Sequence, residues 1–287
     1  MACWNNNAVQ EIEALIEKTV DASSDFYNMS HQNRGTAVIF NHKYFAVQNL
    51  DTRSGTKVDR DKLKKALKCL GFDVKVYNDL TYKAIIKVLK EVAEDDHSES
   101  DAFIMAVLTH GKPDALYAND GPYPPDILWK SFTDEKCPTL SKKPKIFFIQ
   151  ACRGYTLDAG VTLQRTKVDN DILSPRIRVN TSVEYKFFSD PDFLIAFSTA
   201  PGYYSWRNTT SGSWFIRALC TELKKQGGKL HLLSLLTVVS RRVAIDYESY
   251  CPENPTFHNK KQIPCVFSML TKLLIFPKKT NDVCRSM

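Results

Sequence analysis

From Thr36 onward, short and almost continuous apolar runs alternate with stretches of helical periodicity, and this alternation narrows the fold more than any other feature. Thr36–Phe40, Asp73–Tyr77, Ala102–Leu108, Lys145–Gln150, Phe193–Ser198 and Pro264–Met269 read as strands. Between them, Asp59–Leu70 repeats Leu63, Ala66, Leu67 and Leu70 on one helical face and closes on Gly71. Thr81–Ala93 has a capping threonine and turns Ile85, Ile86 and Leu89 inward. Further helices are expected at Ser213–Gln226 and Leu232–Glu248. Strands that alternate with helices build a mostly parallel sheet covered on both faces. Strands buried on both sides lose the polar alternation of a solvated sheet, as most of these do. The fold class is therefore α/β.

Composition excludes several functions. No apolar run approaches the ~20 residues that span a bilayer. The start, Met1-Ala2-Cys3-Trp4-Asn5, lacks the basic and apolar regions of a signal peptide, so a cytoplasmic location without membrane partners is expected. The eight cysteines then read as thiols rather than a disulfide framework. Their spacing matches no zinc motif, and no metal or cofactor is called for. Cys69, Cys220 and Cys265 lie in apolar periodic segments and read as small buried hydrophobes. The net charge of +7 is uneven, with −4 on residues 1–28 and +11 on the remainder. Its lysines scatter; Lys62, Lys64, Lys65 and Lys68 share the polar face of one helix, so nucleic acid is not an expected partner.

Two reactive side chains follow strand ends. His110-Gly111 comes after the strand ending at Leu108, and Cys152 after the strand ending at Gln150. Open α/β sheets bind ligands beyond the carboxyl ends of their strands. Each residue alone reads as a loop histidine or a core thiol. Together, at matching strand ends, they read as a thiol nucleophile with an imidazole acid/base. The segment Tyr155–Asp192 is polar, aperiodic and long for an internal loop, which marks it as functional or disordered.

Gln150-Ala151-Cys152-Arg153-Gly154 has the form of the caspase nucleophile signature, with His110 lying 42 residues upstream. Thr52-Arg53-Ser54-Gly55-Thr56, Ser198-Thr199-Ala200-Pro201-Gly202-Tyr203-Tyr204-Ser205-Trp206-Arg207-Asn208 and Lys260-Lys261-Gln262-Ile263-Pro264-Cys265 also resemble caspases, the executioner caspases in particular. The resemblance covers about residues 29–276. It implies a caspase-like three-layer sandwich and a cysteine endopeptidase that cuts after aspartate, made as a zymogen and acting in apoptosis. It implies that Cys152 is the nucleophile, His110 the acid/base, and the amides of Gly111 and Cys152 the oxyanion hole. Arg53, Gln150 and Arg207 match the pocket for the P1 aspartate. Tyr204, Ser205 and Trp206 match the adjoining substrate wall, and Trp214 the far side of the cleft.

The resemblance also implies proteolytic processing. Residues 1–28 would form a short propeptide cut at Asp21, residues 29–169 a large subunit and residues 170–287 a small one, with Asp169 or Asp171 as the cut in the linker 155–192. A front end this short leaves no room for an adaptor-binding domain, which favours an executioner. Implied partners are protein substrates with a P1 aspartate, a second copy of the processed chain, an upstream initiator caspase and inhibitor-of-apoptosis proteins. The rival readings are a catalytically inactive caspase-like binding protein, a basic nucleic-acid binder and a protease of other P1 preference. The intact dyad and the two pocket arginines weigh against them. Cys284-Arg285-Ser286-Met287 superficially matches a prenylation box, but Arg285 and Ser286 are not aliphatic.

Overall fold

The computed structural model describes residues 24–160 and 191–279. In chain order its main elements are β1 (Thr36–Asn41), α1 (Thr56–Cys69), β2 (Asp73–Asn78), α2 (Tyr82–Glu94), β3 (Phe103–Leu108), three short strands β4 (Gly111–Lys112), β5 (Ala115–Tyr117) and β6 (Pro122–Tyr123), α3 (Ile127–Lys130) and β7 (Lys145–Gln150). After the linker come β8 (Phe193–Phe197), β9 (Arg207–Asn208), β10 (Gly212–Ser213), α4 (Trp214–Gln226), α5 (Leu232–Asp246) and β11 (Cys265–Ser268). Six strands form one sheet in the order β11-β8-β7-β3-β1-β2. All neighbours pair in parallel except β11, which runs antiparallel to β8.

The pleat divides each central strand between two cores. Ala37, Ile39, Ile104, Ala106, Leu108, Ile146, Phe148, Leu194 and Ala196 face α1, α4 and α5. Val38, Phe40, Phe103, Met105, Val107, Phe147, Ile149 and Ile195 face α2 and α3. This is the three-layer α/β sandwich expected, and it explains why every residue of β3, β7 and β8 is buried. Each of these Val, Leu, Ile, Phe and Met side chains contributes about 1.5–3 kcal/mol by leaving water.

Local chemistry sets the element ends. Thr81 caps α2 by accepting from the Ala84 amide at 3.3 Å. Gly71, at φ 89°, turns the chain after α1. The start of α1 lies three residues before the expected Asp59, because Gly55 at φ 86° begins it. Ile86, expected inward, is 40% exposed, since Ile85, Val88, Leu89 and Val92 fill the stripe that meets the sheet. Cys69 is exposed and Cys265 half-buried, contrary to expectation, while Cys220 is buried as expected. Cys69 follows Leu67 by two positions and so faces away from the core, and Cys265 sits on the outermost strand β11. Asp21, Asp169, Asp171 and residues 284–287 lie outside the described residues.

The amino ends of the strands are fastened by buried polar groups. Asp101 is fully buried and accepts from Arg34 at 2.9 Å and from the His31 amide at 3.0 Å; it also pairs with Lys279 at 2.6 Å. Asp192 accepts from the hydroxyls of Tyr27 and Thr271, both at 2.6 Å. That closed end leaves the opposite, carboxyl end of the sheet for the site.

Candidate active site

The parallel ladders fix which residues meet at the carboxyl edge. Asn41 pairs with Leu108, and Leu108 pairs with Gln150, so β1, β3 and β7 end in one row. The Thr109 amide donates to the Gln150 carbonyl at 3.0 Å and the Ser198 amide to the Ile149 carbonyl at 2.8 Å, extending the row by one residue on each side. His110 and Cys152 are the next side chains on the two central strands. Gly111 brings the two strand ends into close approach. A Cβ there would lie 2.2 Å from the Cys152 carbonyl oxygen and 3.1 Å from the Ala151 Cβ, so no larger residue fits this approach.

The His110 ring is held from two sides. Its Nε2 is 2.8 Å from the Asp51 carbonyl oxygen, and the ring packs on Phe45 with centroids 4.9 Å apart. A carbonyl accepts only, so that nitrogen carries the proton. Burial, and then the Arg53 and Arg207 charges, lower the pKa of His110; the Asp51 bond opposes them. Cys152 is half-buried, and its sulfur accepts from the Ser205 amide at 3.4 Å. Burial pushes its thiol up, against the Ser205 amide and the two arginines. Both groups therefore rest uncharged at neutral pH.

Beside them two cations are gathered from separate loops. Arg53 is 1% exposed; its Nη1 donates to the His42 carbonyl at 2.9 Å and the Thr56 hydroxyl at 2.8 Å, while its Nε has no partner. Burial first, and then the Arg207 charge, lower its pKa to about 9. Arg207 stands on β9 and donates from Nε to the Ser54 carbonyl at 2.9 Å. The two loops touch closely, because a Cβ on Gly55 would meet the Thr209 carbonyl at 2.6 Å. Asp59, fully buried, accepts from the Ser213 amide at 2.7 Å and hydroxyl at 2.5 Å and attracts both arginines.

Arg53, His110, Gln150, Cys152, Tyr204, Ser205, Trp206 and Arg207 line one cavity of about 150 Å³, together with Thr109 and Ala151. Tyr204 and Trp206 meet edge to face at 5.3 Å. Trp214 is not in that lining; it is buried and stacks on Trp206 at 5.7 Å. Sequence reasoning missed the supporting groups. Phe45, the Asp51 carbonyl, Thr56 and Asp59 precede or begin α1 and carry no periodic signal. His42 was also missed; its buried ring nitrogens have no hydrogen-bond partner, and burial and the Arg53 charge lower its pKa to about 4. Among the described residues, no cluster of three or more potential ligands could hold a metal.

The Caspase domain family model matches residues 34–275. The chain belongs to the caspase family. Over 276 residues this caspase is 50% identical to Caspase-1 of Spodoptera frugiperda, covering 96% of this chain and 89% of that protein. It is 49% identical over 265 residues to Caspase drICE of Drosophila melanogaster (92% and 76% covered) and 41% identical over 251 residues to Caspase-3 of Bos taurus (87% of each). The crystal structure of Caspase-1 from Spodoptera frugiperda matches with a TM-score of 0.82 at 50% identity, covering 91% of this chain and 98% of that one. The expected family, fold and protease class are thus borne out. This caspase is a cysteine-type endopeptidase with a role in apoptosis; with its family it acts on protein substrates and dimerises. Nothing favours the inactive alternative.

The Gly111 contact generates a direct expectation. Gly111→Ala should cut kcat/KM on a peptide substrate at least about 100-fold while the circular dichroism spectrum stays native. Near-normal turnover would mean that the close approach to Cys152 is unimportant.

Proposed function

We propose that Cys152 is the nucleophile, His110 the general acid/base, and Arg53, Gln150 and Arg207 the pocket that selects aspartate at P1. The observation that carries this reading is the single cavity, lined by one thiol, one imidazole and two guanidinium groups. The Cys152 thiol gives its proton to His110 as sulfur attacks the scissile carbonyl. The resulting oxyanion is stabilised by the amides of Gly111 and Cys152, a kind of contact worth ~3–4 kcal/mol per donor in other hydrolases. The amine leaves with the proton from His110, and water then hydrolyses the thioester by the reverse proton path. A guanidinium fork binds a carboxylate in two places, and the partnerless Arg53 Nε is a donor awaiting one. Tyr204, Ser205 and Trp206 bound the adjoining substrate wall, with Trp214 as its backing on the far side.

The same reading makes residues 1–28 a propeptide cut at Asp21, residues 29–169 and 170–287 the two subunits, and Asp169 or Asp171 the linker cut. A cytoplasmic location goes with it, as does control by an upstream initiator caspase and by inhibitor-of-apoptosis proteins. In support, no helix among the described residues is long and apolar enough to cross a membrane, and the six cysteines described are free thiols.

Matched peptides ending in Asp or Asn at P1 test the pocket. A site that pairs a carboxylate should reject the amide by ~10⁴-fold in kcat/KM, because buried donors are left without charge to bind. Equal cleavage of both would remove the role given to Arg53 and Arg207.

The pH profile follows from the shifts at His110, Cys152 and Arg53. The pKa of His110 lies below the ordinary 6.5, so the imidazole stays neutral and able to take a proton until the pH falls below that value. That of Cys152 lies above 9.0, so the thiol keeps its proton through neutrality. The kcat/KM profile should be a broad plateau with its acid half-point below 6.5 and its alkaline half-point at about 9, where Arg53 loses the charge that binds the P1 carboxylate before the Cys152 thiol ionises. An acid half-point above 6.5 would contradict the assignment.

Processing is read by intact mass. Protein produced in bacteria should separate into two pieces at Asp169 or Asp171, and Cys152→Ala should remain one chain. If the Asp169→Ala/Asp171→Ala chain matches wild-type peptide turnover, linker cleavage is not the activating step.

A further inference from the structure

A chain of buried hydroxyls runs from the cavity to the backbone beside Cys152. Gln150 Nε2 donates to Ser205 Oγ at 2.8 Å, Ser205 Oγ to Ser198 Oγ at 2.9 Å, and Ser198 Oγ to the Ala151 carbonyl at 3.0 Å. Gln150 is 2% exposed, Ser198 0% and Ser205 7%, so water does not compete along this line. In this direction the Gln150 Oε1 is a buried acceptor without a partner. Gln150 lines the cavity together with Arg53 and Arg207. An acceptor there suits the pocket without substrate, whose lining carries two cations. It does not suit a bound carboxylate.

The same heavy atoms support the opposite direction. The Ala151 amide already lies 3.3 Å from Ser198 Oγ as a donor. If Ser198 accepts there, its hydroxyl can turn to Ser205, and the Ser205 hydroxyl can donate to Gln150 Oε1. The side-chain amide then presents Nε2 to the cavity as a donor. Hydroxyl rotation and an amide flip are the only changes; no bond is made or broken. Each hydroxyl in such a line fixes the direction of the next, so the three side chains reverse together.

We propose that Ser198 and Ser205 are positioning residues that reverse as a unit when a P1 carboxylate enters, turning Gln150 from acceptor to donor. This rests on the reading of Gln150 as part of the P1 pocket. The two serines have opposite effects in this scheme. Ser198→Ala removes the acceptor that holds the Ser205 hydroxyl in the resting direction. The hydroxyl then donates to Gln150 Oε1, and the pocket is set for a carboxylate in advance. Ser205→Ala cuts Gln150 off from the line, and the amide is no longer set in either direction. A role in packing alone would weaken both variants alike.

The test measures inhibition constants of two matched tetrapeptide aldehydes, one ending in Asp and one in Asn, with thermal melting recorded for every variant. The readout is the preference for Asp over Asn. Ser198→Ala should raise that preference about threefold or more, even if kcat falls through the lost contacts to Ala151. Ser205→Ala should lower it about tenfold. Both serine variants moving the preference in the same direction, or neither moving it, would overturn the relay. Gln150→Leu separates the two layers of the argument. If it leaves the preference unchanged, the pocket assignment itself fails; if it collapses the preference while the serines behave alike, only the relay fails. Should Ser198→Ala not fold, Ser205→Ala against Gln150→Leu still decides: an unchanged preference in Ser205→Ala overturns the proposal.

Discussion

The parallel pairing of β3 with β7 is the constraint on which the site depends. Six consecutive residue pairs, Phe103 with Lys145 through Leu108 with Gln150, leave no freedom in where the two strands stop. A slip by one residue would turn every side chain to the other face and move apolar residues between the two cores. Register is therefore held by the burial of Phe103, Met105, Phe147 and their neighbours, far more area than the site contains. The positions of His110 and Cys152 are a by-product of that burial. Backbone bonds at Thr109 and Ser198 carry the order past the last paired residue.

The cationic half of the site is built on a different principle. Arg53 and Arg207 repel one another, and desolvation disfavours both charges. They are kept in place by carbonyls at His42 and Ser54, by the Thr56 hydroxyl and by the charge of Asp59, itself anchored to Ser213. Removing one partner of such a buried group generally destabilises strongly. The molecule thus holds an electrostatic deficit that an anionic side chain relieves, and the resting neutrality of Cys152 means that the enzyme's own thiolate does not relieve it.

Legibility in the sequence followed the number of buried contacts. Strands covered on both faces are unbroken apolar runs, so β3 and β7 could be read almost to the residue, and with them His110 and Cys152. Helices read well along the buried stripe and poorly at its margin: Ile86 and Cys69 sit about a third of a turn or more outside it. The two-residue strands β4, β6, β9 and β10 are too short to carry any period. Arg53 stands in a loop and Arg207 on the two-residue β9, where nothing but resemblance pointed to them. The hydroxyl line through Ser198 was invisible, because its members are distant in sequence and their direction depends on hydrogens alone.

The strands β7 and β8 are neighbours in one sheet, paired from Lys145 with Phe193 to Ile149 with Phe197, although residues 161–190 lie between them in the chain. While the backbone is continuous, forming this pairing is a loop closure whose entropy grows only slowly with length. Were it opened between them, the same five pairs would join two molecules, and reassembly would become a second-order event that depends on concentration. A severed chain that melts when dilute would lose its partner before it could rebuild the sheet. A cut between the two strands would thus give the protease a memory: its folded form would persist only as long as it had never been taken apart.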